Sequence, residues 1–123
     1  MKFQAFYLIY IFICIYITLA PTIEAYTSDT NLDMGIANCK IWVEDASGNH
    51  IAGDGPNHYN DCSSSKFGKN DHQILNFDNQ TFWVHAKVQG SAKKAKVRGG
   101  FNANTCLRIH GLTFDWGFDE VPC

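Results

Sequence analysis

The sequence predicts a single secreted α+β domain, with an N-terminal helix packed on an antiparallel β-sheet and two disulfides bracing it. Three observations lead there. Apolar residues between Leu32 and Val43 recur at helical spacing, whereas those from Phe82 to Ile109 alternate with a period of two. Four of the five cysteines lie downstream of residue 25, in a chain too short for a large core. The first 25 residues have the profile of a secretory leader.

The leader is read first because it changes the count. Lys2 precedes an uncharged stretch, Phe3 to Thr22, that is almost wholly apolar from Phe6 to Ala20. Pro21 disfavours cutting after Ala20, so cleavage is expected after Ala25; an uncleaved anchor is the competing reading at this length. Taking 25 from 123 leaves 98 residues, 26–123, as one domain. Lys2 and Glu24 leave together, so ten basic and twelve acidic residues become nine and eleven, and the net charge stays −2. This balance and length exclude a multidomain or polytopic membrane protein. The aromatic residues that remain argue against general disorder. A secreted, extracellular monomer, with no membrane attachment after cleavage, is the expectation.

Each element follows from local chemistry. Thr27 or Ser28 can cap a helix, Asp29 suits its positive end, and Leu32, Ile36, Cys39 and Val43 fall on one face at spacings of four, three and four. The competing reading there is a short strand at Cys39 to Val43. Ala46 to Asp61 holds Gly48, Gly53, Gly55 and Pro56, and reads as turns. Gln73 to Phe77 is a weaker strand. Thr81 to Val88 alternates strictly, with Phe82, Val84, Ala86 and Val88 on one face and Trp83, His85 and Lys87 on the other. Gln89 to Lys93 turns the chain into a strand with Ala95 and Val97 inward and Lys94, Lys96 and Arg98 outward. Leu107 and Ile109 mark another inward face.

Cys14 lies in the leader; Cys39, Cys62, Cys106 and Cys123 remain for two disulfides, with three connectivities open. Every pairing other than the nearest-neighbour one closes a large loop, worth about 4 kcal/mol per bridge. No two of these cysteines lie closer than 17 residues, and His50, His58, His72 and His85 lack ligand spacing, so no metal is expected.

Two segments carry a family resemblance. Pro56-Asn57-His58-Tyr59-Asn60-Asp61 resembles the P-H-x-Y-N-N segment of secreted fungal guanyl-specific ribonucleases of the T-one type. The run from Arg98-Gly99-Gly100-Phe101 to Ile109-His110-Gly111 is similar to their second catalytic region, and Gly117-Phe118 with Cys123 to their closing segment. The resemblance implies the helix-then-strands order, the pairings Cys39–Cys123 and Cys62–Cys106, and an endoribonuclease without cofactor that yields 2′,3′-cyclic phosphates. In that chemistry a base takes the ribose 2′-hydroxyl proton, a histidine protonates the leaving oxygen and an arginine steadies the phosphate. His110 would be the acid, Arg98 the clamp and His58 the second histidine.

The departures weigh as much as the matches. His58 stands one place after the family's histidine, which on a strand reverses its face. The segment expected to hold the catalytic glutamate, Thr81-Phe82-Trp83-Val84-His85, has no carboxylate, leaving His85 as the substitute base. Such an eroded site behind a leader resembles the ribonuclease-like effectors of plant-pathogenic powdery mildews, although their Y-x-C motif is absent after Tyr26. That likeness implies a virulence protein, taken up into host cells, that binds RNA or a host protein and is catalytically impaired.

Other features bear on the same expectation. Lys87, Lys93, Lys94, Lys96 and Arg98 put five basic residues within 12 positions, a candidate RNA contact or simply a soluble hairpin edge. Trp42, Trp83 and Trp116 suit core or rim packing, or base stacking. Asn79-Gln80-Thr81 is a glycosylation sequon. An all-β sandwich similar to the ToxB-like fungal effectors is the alternative fold; it implies a strand at Cys39 to Val43 and a Cys39–Cys106 bridge.

Overall fold

A computed structural model describes residues 25–67 and 71–123; residues 1–24 of the expected leader, Cys14 among them, lie outside the described residues. Period-two alternation runs through nearly all of it. Among the described residues there are nine strands: β1 (Ala25–Met34), β2 (Asn38–Glu44), β3 (His50–Gly53), β4 (Asn60–Asp61), β5 (His72–Asp78), β6 (Phe82–Val88), β7 (Lys96–Phe101), β8 (Thr105–Leu112) and β9 (Asp115–Val121). They form two sheets, one ordered β5-β1-β8-β9 and the other β3-β2-β6-β7, with β4 also paired to β2. We call these sheet A and sheet B.

The fold is therefore all-β, and the N-terminal helix is corrected. Residues 27 to 34 lie inside β1, which pairs antiparallel with β5 and parallel with β8, so both of its edges are hydrogen-bonded. Ser28, Thr30, Leu32 and Met34 point inward and are buried, while Asp29, Asn31 and Asp33 alternate outward. Two-sided pairing and burial of Leu32 and Met34 override the poor strand propensity of Asp and Asn. The helical spacing through Ile36 was coincidental: Ile36 is 82% exposed in the turn that carries the chain from sheet A to sheet B.

The core lies between the sheets. Sheet B contributes Cys39, Ile41 and Val43 from β2 and Phe82, Val84, Ala86 and Val88 from β6, the face expected from alternation. Sheet A contributes Leu107 and Ile109 from β8 and Trp116 and Phe118 from β9. Phe82 joins the layers, its ring 4.6 Å from Phe77, 5.5 Å from Phe101 and 6.0 Å from Tyr26.

The disulfide pairing is also corrected. Cys39 bonds Cys62 and Cys106 bonds Cys123, at sequence separations of 23 and 17. These are the nearest-neighbour pairs, neither those implied by the ribonuclease resemblance nor the Cys39–Cys106 bridge of the all-β alternative. That alternative's strand at residues 39–43 is present as β2. The register explains the pairing. β4 lies against the start of β2, with Asn60 opposite Cys39, and β9 ends beside Cys106, with Val121 opposite it. The next residue but one in each case is the partner cysteine.

A third correction concerns β7. Lys96 and Arg98 pair with Ala86 and Val84, the inward face of β6, whereas Val97 pairs with outward His85 and is 41% exposed. As an edge strand, β7 tolerates long cations there because their heads clear the core toward β9.

One core defect yields a prediction. Among the described residues, the Thr30 and Ser28 hydroxyls are buried without a hydrogen-bond partner. Thr30→Val keeps the shape and removes the stranded hydroxyl, so it should raise stability by about 1 kcal/mol in urea unfolding.

Candidate functional site

Of the residues named from the ribonuclease resemblance, His110 and Arg98 meet at Asp119, whereas His85 and His58 lie elsewhere. His110 projects from the outer face of sheet A, where its Nε2 lies 2.7 Å from Asp119 Oδ2. Arg98 reaches the same carboxylate, 3.7 Å from Asp119 Oδ1, so Asp119 sits between acid and clamp. The His110 hydrogen bond, chiefly, holds the Asp119 carboxyl below the usual range, with the charges of His110 and Arg98 adding to it. His85 lies on the outer face of sheet B, stacked at 5.1 Å on Trp42. His58 is exposed in a turn where its N–H donates to the Gly55 carbonyl at 3.2 Å, and Asn57 before it has φ +64°. The motif from Pro56 thus makes a turn through His58 and enters the short strand β4 only at Asn60–Asp61.

The basic residues of the hairpin are mostly engaged internally. Lys87 Nζ donates to the carbonyls of Val88, Ser91 and Lys93 at 3.2, 2.7 and 2.7 Å, bracing the β6–β7 turn. Lys93 pairs with Asp115 at 2.9 Å, and Lys96 sits 5.2 Å over the buried Trp116 ring. Lys94 is exposed. Asn79 is exposed in the β5–β6 turn, a geometry open to glycosylation.

What the fold does assemble is a groove on the outer face of sheet B. Alternation along β2 turns Lys40, Trp42 and Glu44 outward in a row. Beside them the β2–β3 turn is locked by Asp45, whose Oδ1 accepts the Ser47 and Asn49 amides at 2.9 Å each. Those amides, Asn49 foremost, pull the Asp45 carboxyl below its ordinary value. Gly48 completes the turn at φ +81°, where a Cβ would be strained. The opposite wall is Asp54-Gly55-Pro56. It is pinned by Asp54, whose Oδ2 accepts from the Ile41 amide at 2.9 Å and the Gln73 amide at 3.0 Å, and whose Oδ1 accepts from Asn60 at 2.7 Å. The enclosed space is about 330 Å³.

Trp42 and Glu44, which line the groove, belong to a polar–aromatic cluster that His85 joins from β6. Glu44 Oε2 accepts both the Trp42 indole N–H and the His85 Nε2, each at 2.8 Å. Burial, the larger effect, lowers the His85 pKa below 6.5 against the opposing pull of Glu44. At neutral pH the contact is therefore a neutral imidazole N–H on a carboxylate. The sign follows: with the folded value depressed, the unfolded chain takes up this proton first, so stability falls as pH drops below 6.5 through the folded value. His85→Gln should flatten the decline of the urea midpoint between about pH 7 and 5 relative to wild type.

Lys40 Nζ lies 5.0 Å over the Trp42 ring and 5.4 Å over the Tyr59 ring. His50 Nε2 meets the Asp54 carbonyl at 3.1 Å. Trp42 and His85 were singled out from the sequence, but Glu44, His50 and Lys40 were missed. The outward i, i+2, i+4 row Lys40-Trp42-Glu44 was the available signal, hidden by assigning residues 39–43 to a helix. Among the described residues no group of three or more His, Cys, Asp or Glu could hold a metal ion, and no helix is long and apolar enough to cross a membrane.

Comparison with known proteins adds little. No family model matches the chain, and no curated protein does. Three solved structures match at 16% identity and a TM-score of 0.42: one titled "Trapped Toxin", a disulfide-locked mutant of intermedilysin with human CD59, and the human-specific toxin intermedilysin. They cover 80–82% of this chain but 24% of their own, so this chain spans about a quarter of their length. At that TM-score the likeness carries no argument about function. The chain is a small, disulfide-bonded, all-β protein, and its two bridges fit a secreted setting.

Proposed function

We propose that this protein is a secreted effector-type recognition protein that acts by binding through the groove on sheet B rather than by cleaving RNA. The observation that carries this reading is the Trp42–Glu44–His85 cluster, a rigid aromatic and carboxylate site set between two pinned turns. Side chains locked by one another hold a binding site ready-made, which lowers the ordering cost of association. RNA is the less suited ligand. Lys87, Lys93, Lys96 and Arg98 are held by partners within the fold, and at the groove the Glu44 carboxylate offsets Lys40.

The test uses fluorescently labelled mature protein on intact cells of the host surface it encounters, beside an RNA cleavage and binding assay. Saturable cell binding that is lost in Trp42→Ala and kept in Lys94→Ala is expected, with RNA cleavage no faster than buffer. Cleavage abolished by His110→Ala, or salt-sensitive RNA binding that needs the β6–β7 turn, would overturn the reading. So would cell binding indifferent to Trp42.

A further inference from the structure

We infer that the groove on sheet B binds a carbohydrate, specifically an uncharged oligosaccharide presenting vicinal hydroxyls; this rests on the reading above that the groove is the recognition site. The groove side chains keep unspent bonding capacity. Glu44 uses Oε2 for both of its partners, Trp42 and His85, and the carboxylate is thereby fixed in direction. Its Oε1 is left toward Gly48, where a Cβ would stand 3.7 Å away. Glycine there keeps the approach open. His50 spends Nε2 on the Asp54 carbonyl and keeps Nδ1. Among the described residues, Lys40 sets its ammonium over the Trp42 and Tyr59 rings and keeps its hydrogens for an acceptor.

The groove is lined by two carboxylates, Glu44 and Asp54, with Lys40, His50 and the Trp42 indole. Asp54 is spent on the Ile41, Gln73 and Asn60 amides, which leaves the Glu44 carboxylate as the acceptor, Lys40 as the donor and one imidazole nitrogen. An anionic ligand would meet both carboxylates and a cationic one Lys40, so a neutral ligand suits the site best. That ligand should donate to a carboxylate and accept from an ammonium at neighbouring atoms, beside an indole that His85 and Lys40 already cover. A sugar ring does both, because each of its hydroxyls can donate and accept. Charge-assisted bonds of this kind are the strong ones, and a carboxylate oxygen can serve two adjacent hydroxyls. The space of about 330 Å³ sits at the lower end of ligand sites, roughly 300–1,000 Å³, and suits a short saccharide segment rather than a long chain.

Mature protein is applied to an array of neutral oligosaccharides built from hexoses and N-acetylhexosamines, and any hit is titrated calorimetrically. We expect saturable binding to at least one array saccharide. Affinity should fall about tenfold or more in Glu44→Gln and in Trp42→Ala, and be unchanged in Lys94→Ala. His50→Ala, at an exposed position, keeps the test sound if Trp42→Ala does not fold, and should weaken binding too. No array saccharide bound above background, or binding that ignores all three groove substitutions, overturns the inference. The cell assay separates the two readings. Trp42-dependent cell binding that survives periodate oxidation of surface glycans means a protein ligand, and sinks this inference while the groove reading stands. Cell binding indifferent to Trp42 sinks the groove itself.

Discussion

Replacing Phe82 with alanine should cost about 3–5 kcal/mol of stability, the range for truncating a buried Phe. Phe82 is fully buried and its ring meets Tyr26 of β1, Phe77 of β5 and Phe101 of β7. Few side chains touch so many strands of both sheets. Deleting this one opens a cavity that β6 cannot collapse into while Val84, Ala86 and Val88 hold it in register with β2. Against a total of roughly 5–15 kcal/mol for a domain of this kind, the loss is large. Urea unfolding followed by tryptophan fluorescence would measure it; a cost under 1 kcal/mol would mean the layers are not packed around Phe82 as described.

Removing the Cys39–Cys62 bridge in a Cys39→Ala/Cys62→Ala variant should cost about 3–5 kcal/mol. A separation of 23 residues accounts for about 3 kcal/mol through the unfolded chain. Both cysteines are also fully buried within the core, so two sulfurs' worth of packing goes with the bond. The Cys106→Ala/Cys123→Ala variant should lose less, because Cys123 is exposed and its loop is shorter. Paired thermal melts decide this: equal losses would show that packing around Cys39 contributes nothing beyond loop closure.

Legibility from the sequence followed the strength of the alternation. Residues 82–88 and 107–109 were readable because apolar and polar positions alternate with hardly a break and both inward faces are wholly apolar. β1 was not readable, because half of its inward row is Ser28 and Thr30, hydroxyls that in isolation favour helix caps. Their burial comes from β5 and β8 closing over them, which no local pattern encodes. The disulfides went astray for a related reason. Pairing depends on which strand ends adjoin, and that was borrowed from a fold with a helix where β1 stands. On the site, Trp42 and His85 were visible as residues but not as neighbours. Their stacking requires β2 and β6 to pair with Trp42 opposite His85, a register set by the core faces of both strands.

The parallel pairing of β1 with β8 sets a constraint in time. Ser28 lies opposite Thr105 and Met34 opposite Gly111, partners more than seventy residues apart. A chain emerging from its N-terminus can pair β1 with β5 once Asp78 is available, but its second edge stays open until β8 is made. Such long-range pairing is slow to form and leaves an adhesive edge waiting. Asp29, Asn31 and Asp33 stand at every second position along that edge, and two of the three are charged. The residues that make β1 hard to recognise as a strand are thus the ones suited to keep the unfinished sheet from joining another copy of itself.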